Sequence, residues 1–541
     1  MHKIIISTLA TFFYCCSAYS QNNFGELHGN FQVDAQYYNR DSLIGAPIVK
    51  EKILSNGFMN LWYTKGNFTA GVRYENYLNV MQGFDSRYKG SGVPFRFASY
   101  KNDRLEATVG NFYEQFGSGL ILRAYEERSL GYDNVFDGTR VRFQPIKGIY
   151  LKGLIARQRT FFALSSGIVR GFDAEINFNE LIPGGDSLKT TIILGGSAVS
   201  RFQADLDPYY KLPENVAAFS GRLNIIRGKI NFLAEYGYKI NDPNATNGYR
   251  YNNGHALTAT ATYSTKGLGI LLAAKRLDNF DFRSDRTASG IGANINFLPA
   301  LTRQHTYNLP ATIYPYATQP NGEMGYQAEI SYRFKKGSSL GGKYGTEIVV
   351  NFSGTNGIIK NKTSNDTLGY TSPFFKPSKQ MFFRDFHVEI HKKFSKKVKA
   401  TAMYLNWVYD KDIVQGLVGF GTIFADMGVI DVSYKISANH TIRIEAQALL
   451  SKQDTRDWAT GLIEYTFAPN WFLAVIDQYN FGNSDSAKQI HYITASTGYT
   501  KNGNRIMINY GRQRAGIFCV GGVCRNVPAS NGLSISILSS F

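Results

Sequence analysis

Apolar and polar side chains alternate with a period of two along most of this chain. Residues 172–178 read Phe-Asp-Ala-Glu-Ile-Asn-Phe, and residues 442–448 read Ile-Arg-Ile-Glu-Ala-Gln-Ala. Since successive residues of a β-strand point to opposite faces, each such segment has one apolar and one polar face. The pattern recurs in roughly 24 segments and predicts an all-β chain.

The connections between these segments alternate between short and long. Lys65–Gly66, Lys266–Gly267 and Lys336–Gly337 are examples of the short, turn-type pieces. Longer connections are predicted at 41–53, 81–91, 115–136, 159–167, 203–214, 240–252, 279–324, 355–379, 410–421, 451–457, 481–487 and 514–531. Bacterial membrane barrels have short periplasmic turns and longer extracellular loops. The same alternation here predicts a transmembrane antiparallel up-and-down β-barrel of about 24 strands, with a range of roughly 20–26 strands.

Both ends of the chain fit an exported barrel. Residues 532–541 place most apolar side chains on one face and serines on the other, over about the length that a tilted strand needs to cross a bilayer. The aromatic C-terminus, Phe541, resembles the signal that the barrel assembly machinery of the outer membrane recognises. Residues 1–20 have a cationic start, an apolar stretch and small residues before Gln21, which predicts a cleaved signal peptide. We therefore divide the chain into a signal peptide, 1–20, and a barrel, 21–541.

Composition argues against other classes of membrane protein. No apolar run of about 18 residues follows the signal peptide, so helical spans are not expected. Aromatic residues make up 14% of the chain, which suits the aromatic girdles of a barrel. The first strand is expected near Leu27, which leaves no room for a plug domain before it. Energised uptake of the plugged, 22-stranded kind is therefore not expected.

Two long connections are too apolar for freely solvated loops. One lies in the segment 111–138, and the other lies at about 279–324. Connections longer than about 12–15 residues are usually functional or disordered, and these two are too aromatic for disorder. We interpret them as loops that fold into or over the lumen; the alternative is a rigid extracellular cap.

Three motifs resemble a known family. The stretch Gly511–Pro528, followed by the terminal strand, is similar to an uncharacterised outer-membrane β-barrel family of the Bacteroidetes, and so are the two aromatic connections. The resemblance implies a barrel in the outer membrane of a Gram-negative bacterium and carries no activity with it. The short piece Phe136–Arg142 also resembles alginate-export barrels.

The cysteines predict one disulfide. After removal of the signal peptide only Cys519 and Cys524 remain, in an oxidising compartment. Gly521 and Gly522 between them allow the tight turn that would bring the two sulfurs together. No further cysteine or histidine lies nearby in sequence to complete a metal site.

Charged residues of the first aromatic connection and the strand after it are the candidates for lumen contacts. They are Arg123, Glu126, Glu127, Arg128, Asp133, Asp137, Arg140 and Arg142. Glu126 and Glu127 lie beside arginines in sequence, which favours structural ion pairing over acid–base catalysis.

The histidine-rich strand does not predict a metal site. His387 and His391 would stand about 13 Å apart on a strand, so we expect them to line the lumen together with Asp385 and Glu389. No nucleophile elbow, phosphate loop or metalloprotease motif is found, so no enzyme activity, cofactor or metal is expected.

The positive charge suggests what the barrel contacts. The formal net charge is +18, from 59 Lys and Arg against 41 Asp and Glu. Arg140 and Arg142 share a strand face opposite Val141 and Phe143, so they should point into the lumen. A basic lumen attracts anionic solutes or acidic oligosaccharides. Lipopolysaccharide phosphates are the alternative partner of the basic residues, and nucleic acid is not expected because the chain is exported.

The sequence leaves two functions open. The first is a passive channel or solute-uptake porin with a basic lumen and inward-folded loops. The second is a non-conducting scaffold or accessory subunit of an envelope secretion or assembly machine.

Overall fold

A closed antiparallel β-barrel forms the wall of the molecule. A computed structural model describes residues 24–363, 366–520 and 523–541. Within these residues, 24 strands form one sheet in which each strand pairs with its neighbours in the chain. The barrel strands are β1 (Glu26–Tyr38), β2 (Ile53–Lys65), β3 (Phe68–Asn79), β4 (Gly90–Lys101), β5 (Leu105–Phe112), β6 (Phe136–Phe143), β7 (Ile149–Thr160), β8 (Ala163–Asn177), β9 (Thr190–Phe202), β10 (Asn215–Arg227), β11 (Ile230–Lys239), β12 (Gly254–Thr265), β13 (Leu268–Asp278), β14 (Glu323–Phe334), β15 (Thr346–Ile358), β16 (Pro377–Lys393), β17 (Val398–Asp410), β18 (Thr422–Lys435), β19 (His440–Ser451), β20 (Trp458–Phe467), β21 (Trp471–Tyr479), β22 (His491–Lys501), β23 (Asn504–Gln513) and β24 (Ser530–Ser540).

The barrel closes where the first strand meets the last. β1 pairs with β24 in a register that runs from Asn30 opposite Ser540 to Tyr38 opposite Gly532. Beyond the strand, the backbone N–H of Phe541 donates to the carbonyl of Gly29, and Gly29 donates back to Phe541, both at 2.9 Å. We call this junction the seam. Closure leaves no free sheet edge in the wall.

The alternation of the sequence becomes an outer and an inner face. On β24, Leu533 and Ile535 are exposed on the outside, while Ser534 and Ser536 line a cavity inside the barrel. On β6, Val141 and Phe143 are exposed on the outside. A dyad pattern of apolar and polar residues therefore supplies a lipid-facing belt and a polar inner wall.

Short and long connections alternate around the ring as predicted, with three differences. The connection from β8 to β9, where a tight turn is predicted at 183–186, spans residues 178–189 and contains a short helix. Where a loop is predicted at 159–167, the structure has a tight turn at Phe161 and Phe162, because β7 and β8 extend up to these two residues. The ring of Tyr77 on β3 packs against Phe162, and the ring of Tyr88 in the connection after β3 packs against Phe161. The predicted two-residue turn at Lys336–Gly337 is a longer piece, 335–345. It is held compact by Ser338, whose hydroxyl donates to the Lys335 carbonyl at 2.7 Å.

Little regular structure lies outside the wall. Three short α-helices are described, α1 (Phe178–Leu181), α2 (Asn308–Thr312) and α3 (Lys411–Gln415), together with single 3-10 turns and with small hairpins in three of the long connections. Among the described residues, no helix is long and apolar enough to cross a membrane.

The two cysteines lie opposite each other in one of these hairpins. Strands Gly516–Val520 and Val523–Val527 pair between β23 and β24, and their register places Cys519 opposite Cys524. The side chains of both cysteines are outside the part of the chain that the structure describes, as is the predicted signal peptide, which lies within residues 1–23.

We expect Cys519 and Cys524 to be bonded to each other in the mature protein. Because the closed loop is short, replacement of both by Ser should loosen the hairpin and leave assembly of the barrel intact. Mass spectrometry of unreduced, alkylated protein checks the bond, and two free thiols would contradict it.

Candidate functional site in the barrel lumen

The connection between β5 and β6 folds into the lumen. Residues 113–135, which we call the first lumenal loop, pack an apolar cluster against the inner wall, and Phe116, Ile121 and Leu122 have no exposed surface. The ring of Phe116 lies so close to Gly171 of β8 that a Cβ there would come within 2.8 Å of it. The prediction of an inward fold is therefore correct for this loop.

An ionic network anchors the first lumenal loop to two distant strands. Asp133 of the loop accepts hydrogen bonds from Arg73 of β3 and, at 2.7 Å, from Arg159 of β7. Arg159 also donates to both carboxylate oxygens of Glu75, at 2.9 and 2.6 Å. The same network includes Glu126, whose carboxylate lies 3.0 Å from the Arg73 guanidinium.

This network is buried and balanced in charge. The exposed fractions of Arg73, Glu75 and Arg159 are 3%, 1% and 3%. Three arginines, counting Arg128, which donates to Glu126 at 2.7 Å, face three carboxylates. Buried charges are tolerated only when they are paired and hydrogen-bonded, so the loop and the wall each need the other to satisfy these groups.

A second group of charges surrounds Arg140 and Arg142. Both point inward, as predicted, and both are ion-paired: Arg140 with Glu106 of β5, and Arg142 with Glu114 of the loop at 2.7 Å. Lys152 lies 3.5 Å from the same Glu114. Burial raises the pKa of Glu114, but the hydrogen bond from Arg142 and the charge of Lys152 outweigh burial and leave that pKa below its usual value. Arg140 and Arg142 are therefore paired with carboxylates, and the basic character of the lumen as a whole stays a prediction.

The other predicted charged residues have separate partners. The guanidinium of Arg123 lies over the rings of Tyr125 and Phe297, at 4.8 and 4.1 Å from their centroids. Glu127 accepts a hydrogen bond from the backbone N–H of Ser129 at 3.1 Å. Asp137 pairs at 3.1 Å with Arg96, whose side chain is 58% exposed. Of the predicted set, Glu126, Arg128 and Asp133 belong to the ionic network.

The connection between β13 and β14 also lies in the lumen. Residues 279–322, which we call the second lumenal loop, contribute Phe280, Phe282 and Ile295 to the apolar cluster of the first loop. The two loops exchange backbone hydrogen bonds, from Arg123 to the Ile295 carbonyl at 2.8 Å and from Phe297 to the Gly119 carbonyl at 3.0 Å. They therefore form one internal body rather than two separate flaps.

The far part of the second lumenal loop packs against the opposite wall. Leu309, Tyr314 and Tyr316 join a buried cluster with inner-face residues of β16 to β20, among them Trp407. His305 Nε2 donates to Asp385 at 2.6 Å, and His387 lies 2.9 Å from the same carboxylate. Sequence spacing places Asp385 and His387 on the lumenal face, but His305 comes from a remote loop and carries no local signal.

Two cavities remain inside the barrel beside the seam, where the two apolar clusters do not reach. One cavity of about 640 Å³ and another of about 360 Å³ lie against the inner faces of β1, β2, β23 and β24, and both are lined by Arg128. The polar residues of the larger cavity include Gln32, Asp34, Gln36, Asn56, Asn308, Gln478, Asn509, Gln513, Arg514, Ser534 and Ser536. The smaller cavity is lined by Asn30, Asn60, Trp62, Arg73, Phe95, Tyr113, Glu126, Leu538 and Ser540, among others. We call the two cavities together the seam passage.

Arg514 closes one side of the seam passage near the long loops. It donates to Gln478 at 3.2 Å and to the hydroxyl of Thr312 in the second lumenal loop. Burial lowers the pKa of Arg514 to about 10, so its guanidinium stays charged at neutral pH.

A closed 24-stranded barrel with an apolar outer belt and loops packed in its lumen has the architecture of outer-membrane β-barrel proteins. Residues 1–541 match the family of unknown function DUF6029, and the chain belongs to that family. No curated protein matches the chain.

Solved structures with a similar fold include barrels of several kinds. The translocation pore of the P pilus usher PapC has a TM-score of 0.42 at 9% identity, over 95% of this chain and 99% of that one. The siderophore receptor PirA from Pseudomonas aeruginosa has a TM-score of 0.39 at 8% identity, over 96% of this chain and 81% of that one. The outer membrane protein opdK from Pseudomonas aeruginosa has a TM-score of 0.35 at 11% identity, over 82% of this chain and 98% of that one.

Proposed function

We propose that the protein is a solute channel of the outer membrane that conducts small polar molecules through the seam passage. The observation that carries the proposal is that two lumenal cavities meet at one side chain, Arg128. The two lumenal loops close the rest of the cross-section. In this proposal the two loops fill the lumen as a plug domain does in plugged barrels. The lack of a separate plug domain stays a prediction.

The lining of the seam passage favours neutral polar solutes. Amides and hydroxyls of β1, β23 and β24 line part of the larger cavity. Such groups exchange hydrogen bonds with solute hydroxyls, and Phe58 and Phe84 beside them offer apolar faces, a combination that suits a small sugar. Because Arg140 and Arg142 are paired with carboxylates, we replace the predicted anionic solute or acidic oligosaccharide with a neutral one.

Arg128 lies between the two cavities of the proposed route. Its guanidinium donates to Glu126 at 2.7 Å and to Gln32 at 3.2 Å, and it lies 4.7 Å from the centroid of the Phe58 ring. It therefore joins the first lumenal loop to β1 and β2 across the passage. Removal of this side chain would join the two cavities into one.

Arg128→Ala should raise single-channel conductance in planar bilayers several-fold and speed the entry of a neutral disaccharide into proteoliposomes. Arg87→Ala is the matched control, because Arg87 is an exposed loop arginine paired with Asp85 and does not line the passage. Heat-modifiable migration on gels would show that both barrels are folded. No conductance from either the wild type or Arg128→Ala would overturn the proposal.

The rival function is a non-conducting scaffold or accessory subunit of an envelope machine. The complete burial of Phe116, Ile121 and Leu122 favours it, because such packing gives the loops no reason to move. If neither the wild type nor Arg128→Ala conducts in planar bilayers, the result would support the scaffold function.

The expectations about the location and the contacts of the protein are also proposals. We place the protein in the outer membrane of a Gram-negative bacterium, in contact with lipopolysaccharide and delivered by the barrel assembly machinery. The Bacteroidetes origin, the absence of enzyme activity and the absence of nucleic-acid binding stay predictions.

A further inference from the structure

Two histidines from different parts of the chain converge on one buried carboxylate. His305 belongs to the second lumenal loop, and Asp385 and His387 lie on the inner face of β16. His305 Nε2 is 2.6 Å from Asp385 Oδ2, and His387 Nδ1 is 2.9 Å from Asp385 Oδ1. Asp385 and His387 have no exposed surface. The loop and the wall thus each contribute part of one cluster.

The hydrogen bonds leave one nitrogen of His387 without a partner. An ionised carboxylate can only accept, so Asp385 requires the Nδ1 of His387 to donate. Its other nitrogen, Nε2, has no hydrogen-bond partner although it is fully buried. When an ion replaces the two protons that the imidazoles share with the carboxylate, His305 Nε2 and His387 Nδ1 become its ligand atoms. The unpartnered Nε2 of His387 can then carry the proton of that ring.

The geometry points to a site for a zinc ion. One potential ligand atom from each of His305, Asp385 and His387 lies within 4.8 Å of the other two. Tetrahedral zinc, with bonds of about 2.1 Å, places its ligand atoms roughly 3.4 Å apart, so the three groups need only small movements to enclose the ion. We propose that His305, Asp385 and His387 bind Zn²⁺, with the fourth position open to water or an exogenous ligand.

Neighbouring side chains support the cluster. The Thr302 hydroxyl lies 3.4 Å from Asp385 and 3.2 Å from the Ser353 hydroxyl, and so orients the carboxylate. The indole of Trp407 packs against His305, with ring centroids 5.8 Å apart. Outer groups of this kind fix the orientation of ligands in metal sites.

Zinc at this position would fasten the second lumenal loop to the wall. One ligand comes from the loop and two from β16, so the ion would bridge a contact that now depends on hydrogen bonds. This role is independent of whether the seam passage conducts. It differs from the expectation drawn from β16 alone, where His387 and His391 are too far apart to share an ion.

The test is a titration of purified, chelator-treated protein with Zn²⁺ alone, followed by calorimetry and by metal analysis after desalting. We expect one zinc ion per chain at pH 7.5. His305→Asn and His387→Gln should each weaken binding at least tenfold. His305→Asn changes only the loop and leaves the wall intact, so it tests the site without risk to the barrel.

The matched control is His391→Asn. His391 lies on the same strand, but its ring is bonded to Thr401 at 2.9 Å, so this variant should bind zinc as the wild type does. The absence of stoichiometric binding by the wild type would overturn the proposal. Equal binding by His305→Asn, His387→Gln and the wild type would also overturn it, because the zinc would then lie elsewhere.

Discussion

Arg159→Met will release the first lumenal loop and turn a narrow passage into a wide pore. Arg159 holds Glu75 and Asp133 together in a buried position, with three hydrogen bonds at 2.6–2.9 Å. Removal of one partner from a buried ion pair typically costs about 3–5 kcal/mol, because the remaining charge is left uncompensated. Here both carboxylates lose one of the two arginines that they share and keep only Arg73 as an arginine partner. The loop can leave the lumen in response, whereas the strand cannot. Conductance in planar bilayers should rise several-fold, and protease should cleave within residues 113–135.

Arg157→Met provides the control for this experiment. Arg157 lies on the same strand with an exposed side chain, and it donates to the carbonyl of Ser165 at 2.9 Å outside the ionic network. Its replacement should leave conductance and protease resistance unchanged. Wild-type conductance in Arg159→Met, with the loop still resistant, would show that the network does not hold the loop.

Trp407→Ala will detach the far part of the second lumenal loop. The Trp407 side chain is 2% exposed and contacts the rings of His305, Tyr314 and Phe383. Replacement of a buried tryptophan by alanine costs about 3–5 kcal/mol through lost contacts and the cavity that remains. Since the wall is held by its own hydrogen-bond ladder, the loss should fall on the loop. Rapid hydrogen exchange and proteolysis within residues 299–317 should follow.

Tyr404→Ala separates this effect from a general weakening of β17. Tyr404 lies on the opposite face of the same strand and is 48% exposed. Its removal takes away an outer aromatic ring but no lumenal contact, so the loop should keep its wild-type exchange rates. Equal loop exchange in Trp407→Ala and Tyr404→Ala would contradict the assigned role of Trp407.

The wall could be predicted from sequence because its determinants are local. Alternation along β6 fixed the direction of Arg140 and Arg142, and turn residues such as Lys266–Gly267 marked where strands reverse. The errors arose where local signals end. The connection 335–345 is longer than predicted but stays compact, because the Ser338 hydroxyl donates to the Lys335 carbonyl. The turn at Phe161 and Phe162 is tighter than predicted, because the rings of Tyr77 and Tyr88 pack against it from distant positions in the sequence.

The interior could be predicted only in part, because its partners are distant in sequence. The apolar character of both loops indicated that they fold inward. No spacing rule, however, joins Asp133 to Arg73 and Arg159, or His305 to Asp385. The same limitation explains the expectation of a basic lumen: the arginines were visible on their strand, whereas Glu114, which neutralises Arg142, enters from the loop.

The seam has a consequence for the order of folding. Each wall pairing joins strands that follow one another in the chain, except the pairing of β1 with β24. Gln36 and Ser530, which share a hydrogen bond across the seam, are 494 residues apart. Contacts of low sequence separation cost little loop-closure entropy, whereas this one spans almost the whole chain. The sheet can therefore grow as a curved, open ribbon whose concave side collects the two loops, and the pairing of its ends would then be the step that traps them inside.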